Sequence, residues 1–352
     1  MTKKIGLLAL LPATIIIVSA VCVCGDTYYD PVTGYELQLM VADSSPVPPL
    51  GVEAHIADIG MLSESAYMLS GVPTSDWTYG CSATAAGMMF GYYDRDPRDW
   101  YSNMYTGPAN GGVAPLTDLG NQCSIIATQN GFDGRTTYGH IDDYWISYES
   151  KGPDPWEGNW TEHTWAECTA DFMGTNQWKW DFDPPPGKPD ANVDGSTVWW
   201  SYDNGDELYD YIQPASYGLP QTAGCHGMRL FAESRGYTVA ENYTQNIDTL
   251  YADGFSFADY MWEIDNGYPV MIHVTGHSMV GVGYDAPTET VYLHDTWGDY
   301  VATMTWGDSY SGMDHYSMTV FHLEAIPEPA TIALFGLGLL GLGARLRRRK
   351  QS

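Results

Sequence analysis

The sequence predicts an α+β domain in which a central helix opening at Cys81 packs on an antiparallel sheet carrying His277 and Asp295. Three observations carry that expectation. Ala86, Met89, Phe90 and Tyr93 fall at i, i+3, i+4 and i+7, which is one face of a helix. Residues 270–274, 277–285 and 289–293 are short β-rich runs, the first two parted by Gly276. Further helical patterns at 224–236 and 257–265 alternate with a strand pattern at 237–243, so both element types belong to one body.

Residues 1–25 have the form of an export signal. Lys3 and Lys4 give the charged start, residues 5–18 the apolar run, and Val18-Ser19-Ala20 the small residues of a cleavage site. At the other end, Pro327-Glu328-Pro329 precedes an uncharged run over residues 330–344, followed by Arg345, Arg347, Arg348, Arg349 and Lys350. This three-part order resembles the PEP-CTERM sorting signal of exported bacterial proteins. The resemblance implies an exosortase-type membrane enzyme as partner and cleavage near Pro-Glu-Pro. It also implies a transient stay in the inner membrane through a short transmembrane segment at 330–344. The body would end at the cell surface or outside the cell. A plain anchor is the alternative for the same run. The expected organisation is a signal peptide at 1–25, a body at 26–324 and a sorting segment at 325–352.

The chain has 15 Lys+Arg against 44 Asp+Glu. Lys3, Lys4 and the five tail cations depart with the two ends, and 15 less 7 leaves 8 basic residues for the body. Such a surface repels nucleic acid and anionic lipid, which excludes both as partners of the body. The 13 Trp and 26 Tyr suit a large core and a binding groove. Four cysteines remain in the body, namely Cys81, Cys123, Cys168 and Cys225. If Cys81 is a nucleophile, at most one bridge can form among the other three.

In chain order, residues 26–71 read as a loose lead-in with a Pro-rich piece at 45–49 and a short helix at 63–69. Cys81 then opens the central helix, with Ser82 placed to cap its first turn. Residues 96–120 are rich in Gly, Pro and Asn, and a helix is expected over 116–126. His140 stands in a polar and aromatic patch at 139–145 and is read as a structural histidine. His163 and Cys168 lack the paired spacing of a zinc site. Asp190, Asn192 and Asp194, followed by Gly195, match the first half of a calcium loop, but Ser201 stands where its bidentate Glu would be. The alternative there is an Asp-Gly turn before a strand at 196–202. No cofactor is expected, and calcium at Asp190, Asn192 and Asp194 is the one metal candidate. Ser256 caps the helix at 257–265, with Asp259 three residues on.

Cys81 at a helix start meets unpaired N–H groups and the positive end of the dipole, which stabilise a thiolate. His277 begins a strand beside a glycine turn, and Asp295 ends the next strand. A hairpin brings the two together, since paired strands lie under about 5 Å apart. A thiol, an imidazole that exchanges its proton and a carboxylate that orients the ring suffice for acyl transfer. His273 and His294 compete as bases but are expected inside the core and on the opposite face.

The order Cys, His, Asp, with Cys81 opening a helix and Gly276-His277-Ser278 leading into Gly283-Tyr284-Asp285, resembles the papain-like cysteine peptidases. It is most similar to the bacteriocin double-glycine-leader peptidase group and its exported relatives. The matching motifs lie at 72–94, 257–285 and 294–298. The resemblance implies a papain-like fold, a peptide or protein substrate, Cys81 as nucleophile, His277 as general base and acid, and Asp295 as the orienting residue. The family's oxyanion Gln is absent. Ser75, Asp76 and Trp77 stand in that region, Ser75 and Trp77 as possible donors and Asp76 as a carboxylate that would repel the oxyanion. Two other classes compete. One is a surface or matrix-binding protein on the same scaffold with weak or no catalysis. The other is a Cys-dependent acyltransferase, since these residues fix the reaction type and not the acceptor.

Overall fold

The computed structural model describes residues 27–42, 55–58, 62–75, 77, 80–95, 128–129, 144–145, 169–175, 195–217, 223–234 and 237–324. β1 (Tyr28–Tyr29), β2 (Glu36–Ala42) and β3 (Ala66–Met68) precede helix α1 (Cys81–Arg95). β4 (Thr128–Gln129) and β5 (Tyr144–Trp145) form a short parallel pair. Helix α2 (Thr169–Met173), β6 (Thr197–Tyr202) and β7 (Leu208–Tyr209) follow. Next come α3 (Gly224–Ser234), β8 (Val239–Asn246), α4 (Phe257–Asp265), β9 (Val270–Val274) and β10 (His277–Asp285). β11 (Thr290–His294), β12 (Ala302–Thr305) and β13 (His315–Leu323) complete the described chain.

The main sheet has the order β12-β11-β10-β9-β13-β8-β7, with β3 added against β10. Its pairings are antiparallel throughout. A second, antiparallel sheet has the order β1-β2-β6. Alternation along the central strands divides the interior in two. Met271, Val280, Val282 and Phe321 join the core built with α1, α2 and α3. Val270, Ile272, Val274, Met279 and Val320 join the core built with α4. Both faces of the sheet are therefore covered, which explains why β9 reads as an almost unbroken apolar run.

Helix α1 is held by docking more than by propensity. Ser82, Thr84 and Gly87 are poor helix formers, and an isolated helix of this length is marginal in water. Met88, Met89, Phe90 and Tyr93 are fully buried, each worth about 2 kcal/mol relative to exposure. The Tyr93 hydroxyl donates to the Phe321 carbonyl at 2.6 Å, tying the helix to β13. Helix α4 carries the expected cap: Ser256 Oγ accepts from the Asp259 N–H at 3.2 Å, and the Asp259 carboxylate accepts from the Ser256 N–H at 2.9 Å.

The lead-in departs from expectation. Residues 66–68 form strand β3, not part of a helix, because β10 turns away from β9 after Gly281 and leaves an edge that β3 takes at Gly283, Tyr284 and Asp285. Ser63 and Ser65 hydroxyls fix that edge on the Asp285 carboxylate, at 2.8 and 2.7 Å. Residues 36–42 are likewise a full strand, paired with β6 from Leu37↔Tyr202 to Ala42↔Thr197. β12 and β13 lie beyond Gly298, where no element was expected, yet β13 sits between β9 and β8. The predicted signal peptide, the helix at 116–126, His140, Cys123, Cys168, and the run at 330–344 lie outside the described residues. Among the described residues no helix is long and apolar enough to cross a membrane.

Candidate active site

Gly80 sets the start of α1. Its φ is +124°, and a Cβ there would lie 2.7 Å from the Gly195 carbonyl oxygen and 2.9 Å from Thr175 Cβ, so a side chain fits neither the conformation nor the space. The Thr84 N–H and hydroxyl both donate to the Gly80 carbonyl, at 2.9 and 2.7 Å, which makes Cys81 the first helical residue. Cys81 carries a buried thiol there. Ser82 does not cap the turn, as the sequence suggested. Gly80 already occupies the position before the helix, and Ser82 Oγ turns into the core, 2.8 Å from Ser278 Oγ and 3.1 Å from the Trp199 indole nitrogen.

β9 and β10 are joined by Thr275-Gly276, with Val274 paired to His277 and φ of +83° at Gly276. His277 is the first residue of β10, and Asp295 follows directly on β11. His277 Nε2 lies 2.8 Å from the main-chain carbonyl of Asp295. A carbonyl only accepts, so Nε2 carries the proton and Nδ1 presents a lone pair. Nδ1 is buried and has no hydrogen-bond partner among the described residues. The Trp297 indole stacks on the imidazole, with ring centroids 4.3 Å apart and planes 16° from parallel. Burial pushes the His277 pKa down to about 4, against a smaller upward pull from Asp295. The ring at rest is therefore neutral imidazole, not the imidazolium of a preformed ion pair.

The Asp295 carboxylate serves other partners. Oδ1 accepts the Trp297 N–H at 3.0 Å, and Oδ2 accepts the hydroxyls of Tyr300 at 2.9 Å and Tyr310 at 2.6 Å. Thr296, between Asp295 and Trp297, adopts φ of +68°, a strained value for a β-branched residue, and its buried hydroxyl has no partner among the described residues. That bend returns the Trp297 N–H to Asp295 and sets the indole over His277. Neither Trp297 nor the two tyrosines stood out in the sequence. Only the short step from Asp295 to Trp297 hinted at the first.

His277 and Asp295 thus meet directly. Cys81 and His277 are linked one residue further on, through the bond between Ser82 and Ser278, and no hydrogen bond joins His277 to Cys81. His273 lies in the core with both ring nitrogens engaged, 3.0 Å from Ser278 Oγ and 2.8 Å from Thr319 Oγ1. His294 Nδ1 lies 3.2 Å from the Tyr300 carbonyl. Ser75 is buried and Trp77 half-buried, while Asp76 lies outside the described residues. Asp190, Asn192 and Asp194 also lie outside them, and among the described residues no cluster of three His, Cys, Asp or Glu could hold a metal. Cys225 is a buried thiol, so any bridge among the remaining cysteines would have to join Cys123 and Cys168.

Residues 196–318 match the Peptidase_C39 like family, and residues 325–349 match the PEP-CTERM protein-sorting motif. The first match takes in His277 and Asp295 and begins after Cys81. It supports a cysteine peptidase-like scaffold of α+β class. The second implies recognition by an exosortase-type enzyme, with export and C-terminal sorting to the cell envelope. No curated protein and no solved structure matches the chain.

Proposed function

We propose that this chain is an exported cysteine hydrolase that cleaves peptide bonds with Cys81 as nucleophile, His277 as general base and acid, and Asp295 as the group that orients the imidazole. The observation that carries this reading is the state of His277. Its Nε2–H is committed to the Asp295 carbonyl, and its Nδ1 is a buried base with no donor to accept from among the described residues. The Ser82 to Ser278 bond, which ties the helix opening at Cys81 to the strand opening at His277, supports it further.

In the reaction, the Cys81 thiol gives its proton to Nδ1 as sulfur attacks the carbonyl carbon and the carbonyl electron pair moves to oxygen. The Cys81 N–H, at the positive end of α1, meets that oxyanion, with Ser75 or Trp77 as second donor. The imidazolium is held by the Asp295 carbonyl on Nε2–H and by the Trp297 face. Collapse expels the amine with the Nδ1 proton and leaves a thioester. Water, losing its proton to Nδ1, then releases the acid and restores the thiol. Both Cys81 and His277 are buried at rest, so substrate entry has to open the site. Catalytic hydrogen bonds are commonly long before substrate arrives. After sorting, the mature enzyme acts at the cell surface or outside it.

Peptide-library hydrolysis, read beside mass-mapped iodoacetamide labelling, tests the assignment. Cys81→Ala and His277→Ala should each lower hydrolysis by about a thousandfold or more. In the parent, Cys81 should label faster than Cys225, whose thiol burial pushes up to about 12. Hydrolysis that survives Cys81→Ala would refute the assignment. Labelling without hydrolysis of any peptide would instead favour acyl transfer to another acceptor, or a binding role.

A further inference from the structure

The three oxygen atoms of Asp295 hold three different aromatic residues. The main-chain carbonyl accepts the His277 Nε2–H at 2.8 Å, Oδ1 accepts the Trp297 main-chain N–H at 3.0 Å, and Oδ2 accepts the Tyr310 hydroxyl at 2.6 Å. The rings of these residues are stacked in turn. The imidazole and the indole have centroids 4.3 Å apart and planes 16° from parallel. The indole and the Tyr310 ring have centroids 6.1 Å apart and planes 22° from parallel. The contacts close a circuit that leaves Asp295 at its carbonyl, passes through His277, Trp297 and Tyr310, and returns at Oδ2.

The proposed chemistry uses His277 Nδ1, so the plane of the imidazole matters. One hydrogen bond at Nε2 fixes a single point of the ring and leaves it free to turn about the line to the Asp295 oxygen. A flat face laid against the ring removes that freedom, and the indole supplies one. The indole can itself turn about its own side-chain bonds, since the bond to Oδ1 fixes only its main chain. Tyr310 is built to stay still. It is buried, and it exchanges two main-chain hydrogen bonds with Met313, each 2.9 Å. Ser311 and Gly312 between them have φ of +55° and +80°, the positive pair that a type I′ turn requires. A carboxylate only accepts, so the Tyr310 hydroxyl is the donor to Oδ2. Burial, with Asp295 beside it, raises the Tyr310 pKa and keeps that proton in place.

We propose that Tyr310 is a positioning residue for the base: its ring, fixed by the turn at Ser311-Gly312 and by Asp295 Oδ2, steadies the Trp297 indole and so holds the His277 imidazole in one plane about its Nε2 bond. The Asp295 carboxylate thereby acts on the imidazole without touching it. Tyr300 also donates to Oδ2, at 2.9 Å, so that oxygen keeps a partner when the Tyr310 hydroxyl is removed. The positioning role rests on the reading of His277 as the base that takes the Cys81 proton. The ring stack stands without it.

Two readouts on the full chain test this. The first is the His277 Cε1–H signal in protein labelled with 13C at histidine Cε1, assigned by its loss in His277→Gln. The ring current of the indole should displace that signal upfield in the parent. The second is the rate of Cys81 labelling by iodoacetamide at neutral pH. In Tyr310→Leu the signal should move toward the ordinary histidine position, and labelling should slow about tenfold, as misplacing a reacting group does. Tyr310→Phe keeps the ring and loses its anchor, so both readouts should fall between parent and leucine variant. Thermal unfolding checks that each variant folds, and phenylalanine carries the test if leucine does not. A parental signal and parental labelling in a folded leucine variant would overturn the proposal. Slowed labelling with the His277 signal unmoved would place the effect outside the stack and overturn it as well. Inert Cys81 in the parent would end the catalytic reading and the positioning role together, while the His277 signal would still decide whether Tyr310 holds the stack.

Discussion

The Asp295 carboxylate takes three hydrogen bonds, and none comes from His277. Orientation of the imidazole falls to the main-chain carbonyl, which no side-chain substitution removes. Asp295→Asn should therefore keep Cys81 labelling and hydrolysis within a few-fold of the parent, because the amide oxygen still accepts from a tyrosine. Asp295→Ala should cost about 3 kcal/mol in urea unfolding, since it strands the Tyr310 hydroxyl in the core. Loss of hydrolysis in the asparagine variant with normal folding would return the orienting role to the carboxylate. The places of Cys81, His277 and Asp295 at a helix start, a strand start and just past a strand end were legible in sequence. Trp297, Tyr300 and Tyr310 were not, since what they touch depends on the bend at Thr296.

At the scale of elements, the pattern of α1, α3, α4, β6 and β8 to β11 was readable from periodicity and caps. β13 was hidden because Ser317, Thr319 and His322 are polar yet buried, which blurs both alternation and an apolar run. β2 was hidden because its partner β6 lies far along the chain, and a strand without a nearby hairpin looks like a lead-in. The start of α1 depends on Gly80, whose added Cβ would meet backbone at 2.7 Å in a left-handed conformation. Gly80→Ala should destabilise by about 2 kcal/mol or more and shift the Cys81 labelling rate, as thermal unfolding and mass mapping would read together. An alanine variant with parental stability and labelling would mean that the chain before α1 is freer than its packing against Gly195 and Thr175 implies. Ser256→Ala offers the milder comparison. It removes a cap far from Cys81 and should cost about 1 kcal/mol with no effect on labelling.

Across the whole molecule, two properties set the response to the surroundings. The sorting motif predicts a mature chain lacking the basic tail, and intact mass of protein recovered from its host would read this directly. A tail still present through Lys350 would favour an anchor. The second property is the set of histidines buried as neutral rings. Burial pushes His277 down to about 4 and His315 to about 3, and lowers His273 and His294. Unfolded, each would bind a proton near pH 6.5. Because the folded values are depressed, the stability these rings contribute is fully present above about pH 6.5. It is lost as pH falls toward the folded values, since the unfolded state then holds more protons. For His277 alone the window from about 6.5 to about 4 is worth about 3 kcal/mol. The net charge of −29 opposes this, because protonating carboxylates relieves self-repulsion as pH drops. Salt separates the two effects. At about 1 M the screening length is roughly 3 Å, which removes surface repulsion but leaves buried desolvation in place. Urea midpoints in high salt should therefore fall steadily from pH 7 to pH 4, with a slope reporting uptake of more than one proton. A flat profile over that range would mean that the unfolded chain gains no protons the folded one lacks, and that these histidines are not held neutral.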